Sequence, residues 1–324
     1  MDWKHRLFAL ESADGVIESI PSMMKAQELD LLYSLVKNYY KGEGYIVDAG
    51  IFMGASTKCF IEGLAANPHP RRVAKPTIHS FERAMVTRPM TNFADFKDLP
   101  INSDYSGMLR DRFAFSDEVS FSFGDITLKD WNRDDPIEIL FLDVLKTPEV
   151  MFRCNEMFFP SLIVGQGVLV QQDFYWPFGW WINAWMEMWA DYFEPIDWAE
   201  TSLIFRYTKE LPAEAYNAET LTSKSEDEVF DMLYNAKLPA YRLDQFLNLK
   251  LTAIQYLFHK GNFERARREL DIFLERFYRD IYKDQTNQIA IRFKGDLARL
   301  TTNIDKGLAT ASRRAAVKAK TSNG

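Results

Sequence analysis

The sequence predicts an α/β fold, in which a doubly wound, mostly parallel seven-stranded sheet is followed by a smaller all-helical C-terminal region. Three observations support this prediction. Short apolar runs alternate with helical patterns between residues 45 and 209, which is typical of a parallel sheet covered on both faces. The last two predicted strands are separated only by residues 198–201, too few for a helical crossover, so they should pair antiparallel. After Pro212, apolar residues recur at helical spacing instead.

The predicted strands are short, and most of their residues are apolar. The fourth overlaps the nearly continuous apolar run from Ile137 to Leu142, which favours a central position buried on both faces. After this strand, Thr147 and Pro148 predict the start of a helix that runs toward Phe159, because threonine caps helices and proline is tolerated at their first position. The seven predicted strands are Tyr45–Gly50, Thr77–Phe81, Val119–Phe123, Glu138–Asp143, Gly167–Gln172, Phe193–Asp197 and Ser202–Tyr207.

The chain divides into four predicted regions. These are an N-terminal helical extension (1–40), the α/β domain (41–211), a helical C-terminal domain (212–310) and a disordered basic tail (311–324). Within the helical domain, two amphipathic helices flank a break at Gly261 and predict an antiparallel hairpin that resembles one tetratricopeptide-type unit. Such units need about three repeats to be stable. We therefore expect the hairpin to pack on the α/β domain or on a second subunit, as in a homo-oligomer.

Composition and charge exclude several classes of protein. A net charge of -7 argues against nucleic-acid binding, which normally requires a basic face. The first residues lack the apolar core of a signal peptide. The most apolar stretch, residues 174–193, contains Asn183, Glu187 and Asp191, which are costly inside a bilayer. Both cysteines lie in apolar runs, as suits a reducing compartment. We therefore expect a cytoplasmic protein with no membrane contact.

The strongest local signal is a glycine-bracketed bend after the first predicted strand. Asp48 lies near the end of this strand, Gly50 and Gly54 enclose the bend, and Ser56 opens the next helix. Glycine lets the backbone approach a ligand closely, and a helix N-terminus offers free N–H groups to a polar or anionic group. Phe52 occupies a position where a dinucleotide fingerprint has glycine, which disfavours a nicotinamide site. A tight turn without a ligand is the alternative interpretation.

Further carboxylates end the neighbouring predicted strands. Glu82 closes the second strand, where it could accept hydrogen bonds from ribose hydroxyls. Asp125 follows the third strand and could meet an adenine amino group or simply cap a turn. Asp143 and Asp173 end the fourth and fifth strands. Because ligands of an open parallel sheet lie beyond the carboxyl ends of its strands, we expect these acids to share one binding edge.

Two of these acids could bind a metal ion. Asp143 and Asp173 could share a hard divalent cation such as Mg²⁺ through oxygen ligands, with Gln172 as a neutral oxygen donor beside them. Lys146, three residues after Asp143, could act as a base or as a charge clamp. A plain salt bridge between Lys146 and Asp143 explains this lysine equally well.

Two longer segments could contribute to an acceptor site. Residues 174–181 are rich in aromatic side chains and directly follow Asp173, so their rings could stack on a sugar or an aromatic acceptor. Packing of the helix that follows is the alternative. The insertion at residues 83–118 is longer than a usual crossover and could form a lid over the acceptor.

At these residues the chain resembles class I S-adenosylmethionine (SAM)-dependent methyltransferases, in particular their macrocin O-methyltransferase-like branch. The matching segments are 48–56, 81–82, 124–125, 141–143 and 167–173. The resemblance covers roughly residues 40–210. It implies five parallel strands with a terminal hairpin, a bend and second-strand acid that hold the methionine and ribose of SAM, and a metal ion on the later acids. Relatives with a metal have two adjacent acids where this chain has Gln172 and Asp173.

The sequence therefore predicts a SAM-dependent methyltransferase acting on an oxygen or nitrogen of a small acceptor, such as a saccharide or a natural-product precursor. The alternative is a catalytically inactive methyltransferase-like scaffold whose C-terminal helices bind a partner. The predicted cofactor-binding residues are Asp48, Gly50, Gly54, Ser56, Glu82 and Asp125. The predicted catalytic residues, which would face the acceptor, are Asp143, Lys146 and Asp173, and the two aspartates among them would hold any Mg²⁺.

Overall fold

The computed structural model describes residues 10–13, 15, 20–282 and 288–321. The chain forms two compact units. The helical unit comprises Tyr175–Ala190 and the chain from Ala218 onward, and the sheet unit comprises the chain up to Phe174 together with Asp191–Asn217. The two units are therefore interleaved along the sequence, because a segment between two strands of the sheet belongs to the helical unit.

Seven strands form one sheet in the sheet unit. Their bounds are β1 Tyr45–Ala49, β2 Ile78–Glu82, β3 Val119–Phe123, β4 Ile137–Leu142, β5 Val168–Gln171, β6 Phe193–Ala199 and β7 Ser202–Tyr207. The strand order is β3-β2-β1-β4-β5-β7-β6. The first five strands pair parallel, while β7 pairs antiparallel with both β5 and β6. The predicted sheet and its terminal antiparallel hairpin are confirmed.

The chain leaves the two central strands in opposite directions. From β1 it moves outward through β2 to β3, then returns to β4 and moves outward to β5. Because crossovers between parallel strands are right-handed, connections that run in opposite directions lie on opposite faces of the sheet. The sheet is therefore doubly wound. The crevice beyond the carboxyl ends of β1 and β4 is its topological switch point, where ligands of such sheets bind.

Helices of the sheet unit support the central strands. They are α1 Ala26–Asn38, α2 Ala55–Ala66, α3 Ser106–Arg112 and α4 Pro148–Phe158. All residues of β4 are buried, as its apolar run predicted. The α4 helix begins as predicted, since the Thr147 hydroxyl accepts the backbone N–H of Val150 and Pro148 occupies the first helical position. The α1 helix lies in the predicted N-terminal extension and packs against α2.

The helical unit contains α5 Trp180–Met188, α6 Glu219–Thr222, α7 Glu226–Tyr234, α8 Leu243–His259, α9 Phe263–Tyr282 and α10 Gln288–Thr321. The predicted hairpin is formed by α8 and α9, with Gly261 at a φ of +81° between them. The smaller all-helical region of the predicted fold class is thus confirmed. Residues 311–321, expected to be disordered, continue α10 because their alanines, lysines and arginines favour helix. The last three residues of that predicted tail lie outside the described residues.

The aromatic segment packs inside the helical unit from Tyr175 onward. The Tyr175 hydroxyl donates to the Pro239 carbonyl at 2.7 Å. The Trp180 ring contacts the Tyr256 ring edge-on, with centroids 4.8 Å apart, and α5 packs against α7 and α8. Since Tyr175 and Trp180 are buried, packing explains them, and the expectation that these two rings stack on an acceptor is wrong. Among the described residues, no helix combines the length and apolarity that crossing a bilayer requires.

Candidate active site

The predicted acids meet at one edge of the sheet. Glu82 is the last residue of β2, Gly50 follows β1, Asp143 follows β4, and Asp173 lies two residues beyond β5. These four strands are consecutive neighbours in the sheet. The backbone N–H of Asp143 donates to the Ala49 carbonyl at 2.8 Å, which joins the ends of β1 and β4 at the switch point.

Gly50 is required by the backbone at this switch point. Its φ is +94°, and a Cβ atom there would lie 2.8 Å from the carbonyl carbon and oxygen of Asp143. Its N–H donates to the Phe81 carbonyl at 2.9 Å. The close approach of β4 to the bend therefore explains this glycine, with or without a ligand.

Asp48 supports the bend from inside the protein. It is fully buried, and its carboxylate accepts hydrogen bonds from the Ser56 hydroxyl at 3.0 Å and the Thr57 hydroxyl at 2.6 Å. Burial raises the pKa of Asp48 to about 7, although these hydrogen bonds act in the opposite direction. The side chains of Asp48 and Ser56 are both buried and hydrogen-bonded to each other, and their contact with a cofactor stays a prediction. The hydrogen bonds of Asp48 anchor the start of α2 to β1. The sequence alone did not indicate that the Thr57 hydroxyl takes part in this anchor.

Glu82 points toward the bend and is hydrogen-bonded to it. Its Oε2 accepts the backbone N–H of Phe52 at 2.8 Å, and its Oε1 accepts that of Ala84 at 3.2 Å. A carboxylate has about four lone-pair positions, so roughly two remain for ribose hydroxyls. Glu82 is partly exposed, which leaves these positions accessible.

The insertion that was expected to form a lid packs on the bend. The Phe52 ring contacts those of Phe93 and Phe96, with centroids 5.1 and 5.6 Å away. The Arg112 guanidinium donates to the Met53 carbonyl at 2.9 Å. The insertion is therefore part of the wall around the bend.

Gly54 is explained by the same packing. Its φ is +89°, and a Cβ atom there would lie 2.4 Å from the ring of Phe113, which is buried. The absence of a side chain at Gly54 allows the Phe113 ring to approach the backbone closely. Contact between Gly54 and a cofactor stays a prediction.

Asp125 caps a turn at the end of β3. Its Oδ1 accepts from the backbone N–H of Thr127 at 2.9 Å and from the Thr127 hydroxyl at 2.8 Å. These hydrogen bonds hold the pKa of Asp125 below its usual value. Capping of the turn therefore explains both hydrogen bonds that Asp125 Oδ1 accepts. A contact with adenine through the rest of this exposed side chain stays a prediction.

Lys146 lies between the two remaining acids. Its Nζ is 2.7 Å from Asp143 Oδ1 and 2.7 Å from Asp173 Oδ2. Burial raises the pKa of Asp143 to about 7, and the Lys146 charge opposes this shift. Burial acts to lower the pKa of Lys146, but the two carboxylates outweigh it and raise the pKa overall. Both ion pairs favour the protonated form of Lys146, and the salt bridge with Asp143 is confirmed, whereas a role of Lys146 as a base stays a prediction.

Gln172 belongs to a different, buried group of residues. Its Nε2 donates to Glu28 Oε1 at 3.1 Å and to the Thr201 hydroxyl at 3.3 Å, and its Oε1 accepts from the Ser202 hydroxyl. Its oxygen is therefore engaged, and the expectation that it offers a neutral metal ligand is wrong. The buried carboxylate of Glu28, on α1, also accepts from Thr201 and Ser202. The sequence carries no local signal for Glu28, which lies 144 residues from Gln172.

These residues do not fit the predicted Mg²⁺ site. Magnesium requires near-octahedral oxygen coordination, whereas Asp143 and Asp173 have an ammonium group between them. In the part of the chain that the structure describes, no group of three or more histidine, cysteine, aspartate or glutamate side chains could hold a metal ion. The positive charge between the two carboxylates is that of the Lys146 ammonium group.

Solved structures that are similar to this chain include two methyltransferases. The O-methyltransferase NovP aligns with a TM-score of 0.44 and 12% sequence identity, over 58% of this chain and 82% of that chain. A Podospora anserina methyltransferase, PaMTH1, solved with S-adenosylhomocysteine (SAH) bound, aligns with a TM-score of 0.35 and 11% identity, over 58% of this chain and 80% of that chain. No protein-family model matches the sequence, and no curated protein matches it either.

Proposed function

We propose that this chain is a SAM-dependent methyltransferase that acts on an oxygen or nitrogen of a small acceptor, such as a saccharide or a natural-product precursor. The observation that carries the proposal is the hydrogen bond between the Glu82 carboxylate and the Phe52 N–H of the glycine-bracketed bend. It places a partly exposed carboxylate beside the bend, at the edge where doubly wound sheets bind nucleotide cofactors. When bound, SAM would supply an electrophilic methyl group.

At this edge of the sheet, some residues would bind the cofactor and others would face the acceptor. Gly50 and Gly54 would shape the bend, Glu82 would bind a ribose hydroxyl, and Asp125 would lie near the base. Asp48 and Ser56 would act indirectly, by holding α2 against β1. The main contribution to rate would be orientation of the methyl group toward the acceptor.

The charges on the acceptor side favour a neutral hydroxyl group. Asp143, Lys146 and Asp173 together carry a formal charge of about −1 when all three are ionised, which would repel an anionic acceptor. An ammonium has three N–H donors, and the two aspartates use two of them. A hydroxyl oxygen could accept the third, while its proton is donated to Asp143. A protonated amine could not accept that hydrogen bond, so oxygen is the better candidate atom.

Isothermal titration with SAM and with SAH tests the proposal. We expect the wild type to bind both, and Glu82→Ala to raise the Kd roughly 10- to 100-fold, because a hydrogen bond to a charged group contributes about 1.5–3 kcal/mol. Glu62→Ala is the matched control, since Glu62 pairs with Lys58 on the surface of α2. Its Kd should be unchanged. Equal binding by Glu82→Ala and wild type would refute the ribose assignment.

A catalytically inactive scaffold is the second candidate, and two observations favour it. Phe113 fills the space beside Gly54, and backbone N–H groups of Phe52 and Ala84 occupy about two of the four accepting positions of Glu82. On this hypothesis the wild type gives no heat with SAM or SAH, and neither compound shifts its melting temperature. The helical unit would then provide a partner-binding surface.

A further inference from the structure

Two carboxylates that end neighbouring strands share one ammonium group. Asp143 follows β4 and Asp173 lies beyond β5, and the Nζ of Lys146 is 2.7 Å from an oxygen of each. The two aspartate side chains are 21% and 23% exposed, whereas that of Lys146 is 56% exposed. The carboxylates are therefore the more deeply placed groups, and the lysine covers them from the solvent side.

We infer that the Lys146 ammonium is a built-in cation that takes the place of a divalent metal ion between Asp143 and Asp173. Two close carboxylates repel each other unless a cation lies between them. This chain places its own cation there, on a residue three positions from one of the acids. Asp173 is held in the left-handed region, with a φ of +62°, which a non-glycine residue rarely adopts. Its ion pair with Lys146 stabilises that conformation.

The ammonium occupies the position that a metal ion would need. The third predicted donor, Gln172, is turned into the buried group around Glu28. An incoming divalent ion would have to displace the ammonium, and water would have to supply every ligand beyond the two carboxylates. The contact of Lys146 with an acceptor hydroxyl rests on the proposed function, but the cation assignment does not.

Titration with Mn²⁺, followed by electron paramagnetic resonance of the free ion, tests the inference without SAM or an acceptor. We expect the wild-type protein to bind no Mn²⁺ at submillimolar concentration. We expect Lys146→Ala to gain a Mn²⁺ site, with an affinity at least about tenfold higher than that of the wild type, because two carboxylates are left without a partner. Mn²⁺ should also raise the melting temperature of this variant but not that of the wild type.

Lys75→Ala is the matched control. Lys75 also bridges two carboxylates, with distances of 2.8 Å to Asp117 and 3.0 Å to Glu118. Arg71 remains on Glu118 at 2.7 Å after the substitution, so a cationic partner is retained. We therefore expect no Mn²⁺ site in Lys75→Ala.

Two outcomes would overturn the inference. One is a Mn²⁺ site in the wild type that Asp173→Asn abolishes, because the metal would then displace the lysine. The other is a folded Lys146→Ala variant that gains no site. If that variant does not fold, the wild-type titration and its Asp173→Asn comparison still decide the question. Absence of SAM binding together with the expected Mn²⁺ results would refute the proposed function and leave the cation assignment intact.

Discussion

At the scale of single residues, Asp48 links the stability of the bend to pH. Burial raises its pKa from 3.8 to about 7. As pH rises through this window, the unfolded chain loses its proton while folded Asp48 retains it, so the folded state loses stability. Asp48→Asn removes this ionisation. We expect the unfolding free energy of the wild type, relative to this variant, to fall by roughly 3 kcal/mol between about pH 5 and pH 8, from 1.36 kcal/mol per pKa unit.

Urea unfolding of both proteins at the two pH values measures this difference. Asp98→Asn is the control, because that side chain is 86% exposed and its loss should change stability by less than about 0.5 kcal/mol at either pH. A wild-type-to-variant difference that stays constant across the two pH values would show that Asp48 ionises normally in the folded protein.

The acceptor-side residues show what the sequence could predict at this scale and what it could not. Strand-end positions placed Asp143 and Asp173 on neighbouring strands, and a spacing of three residues brought Lys146 to them. The same reasoning failed for Gln172. Successive side chains of an extended chain point to opposite faces, so Gln172 and Asp173 need not share a site. Gln172 instead joins Glu28, whose position in space depends on tertiary packing.

At the scale of elements, the bend and the insertion form one packed structure. The sequence predicted the strands because short apolar runs bounded by turn residues are typical of buried strands. The sequence indicated the length of the insertion, but it did not indicate where the aromatic side chains of the insertion pack. Phe96 and Phe113 are buried, and with Phe52 they form part of one core cluster. This part of the insertion is therefore packed around the bend, and its role as a lid over an acceptor stays a prediction.

Substitution of Gly54 tests this packing. We expect Gly54→Ala to destabilise the protein by roughly 2–4 kcal/mol, because the φ of +89° is unfavourable for alanine and its Cβ atom would overlap the Phe113 ring. Phe113→Leu should relieve the overlap but not the backbone strain. The double variant should therefore be less destabilised than the sum of the two single variants, as measured by urea unfolding.

The control for this experiment is Gly107→Ala in α3. A Cβ atom at Gly107 would have open space around it, since it would meet no heavy atom of the described residues within 4 Å, and the backbone there is helical. Alanine at this position should stabilise the protein by about 0.5–1 kcal/mol. Strict additivity of Gly54→Ala and Phe113→Leu would show that Phe113 does not account for the glycine.

At the scale of the whole molecule, the two units cannot be separated by one cut of the chain. The sequence predicted a boundary near residue 211, where the pattern changes from alternating strands to helices. The structure assigns Tyr175–Ala190 to the helical unit as well. The apolar residues of α5 predict a buried helix, but hydrophobicity alone does not specify which partner buries it. That information lies in the contacts between α5, α7 and α8.

Truncation tests this interleaving. A chain that ends at Asn217 keeps α5 but loses α7 and α8, so Trp180 loses its contact with Tyr256. Because large exposed apolar patches promote association, we expect this variant to bind the dye ANS strongly and to aggregate in size-exclusion chromatography. A second variant, which ends at the same residue but has a glycine-serine linker in place of residues 175–190, lacks these aromatic side chains. It should be monomeric and bind little dye. Equal behaviour of the two variants would show that α5 does not depend on the rest of the helical unit.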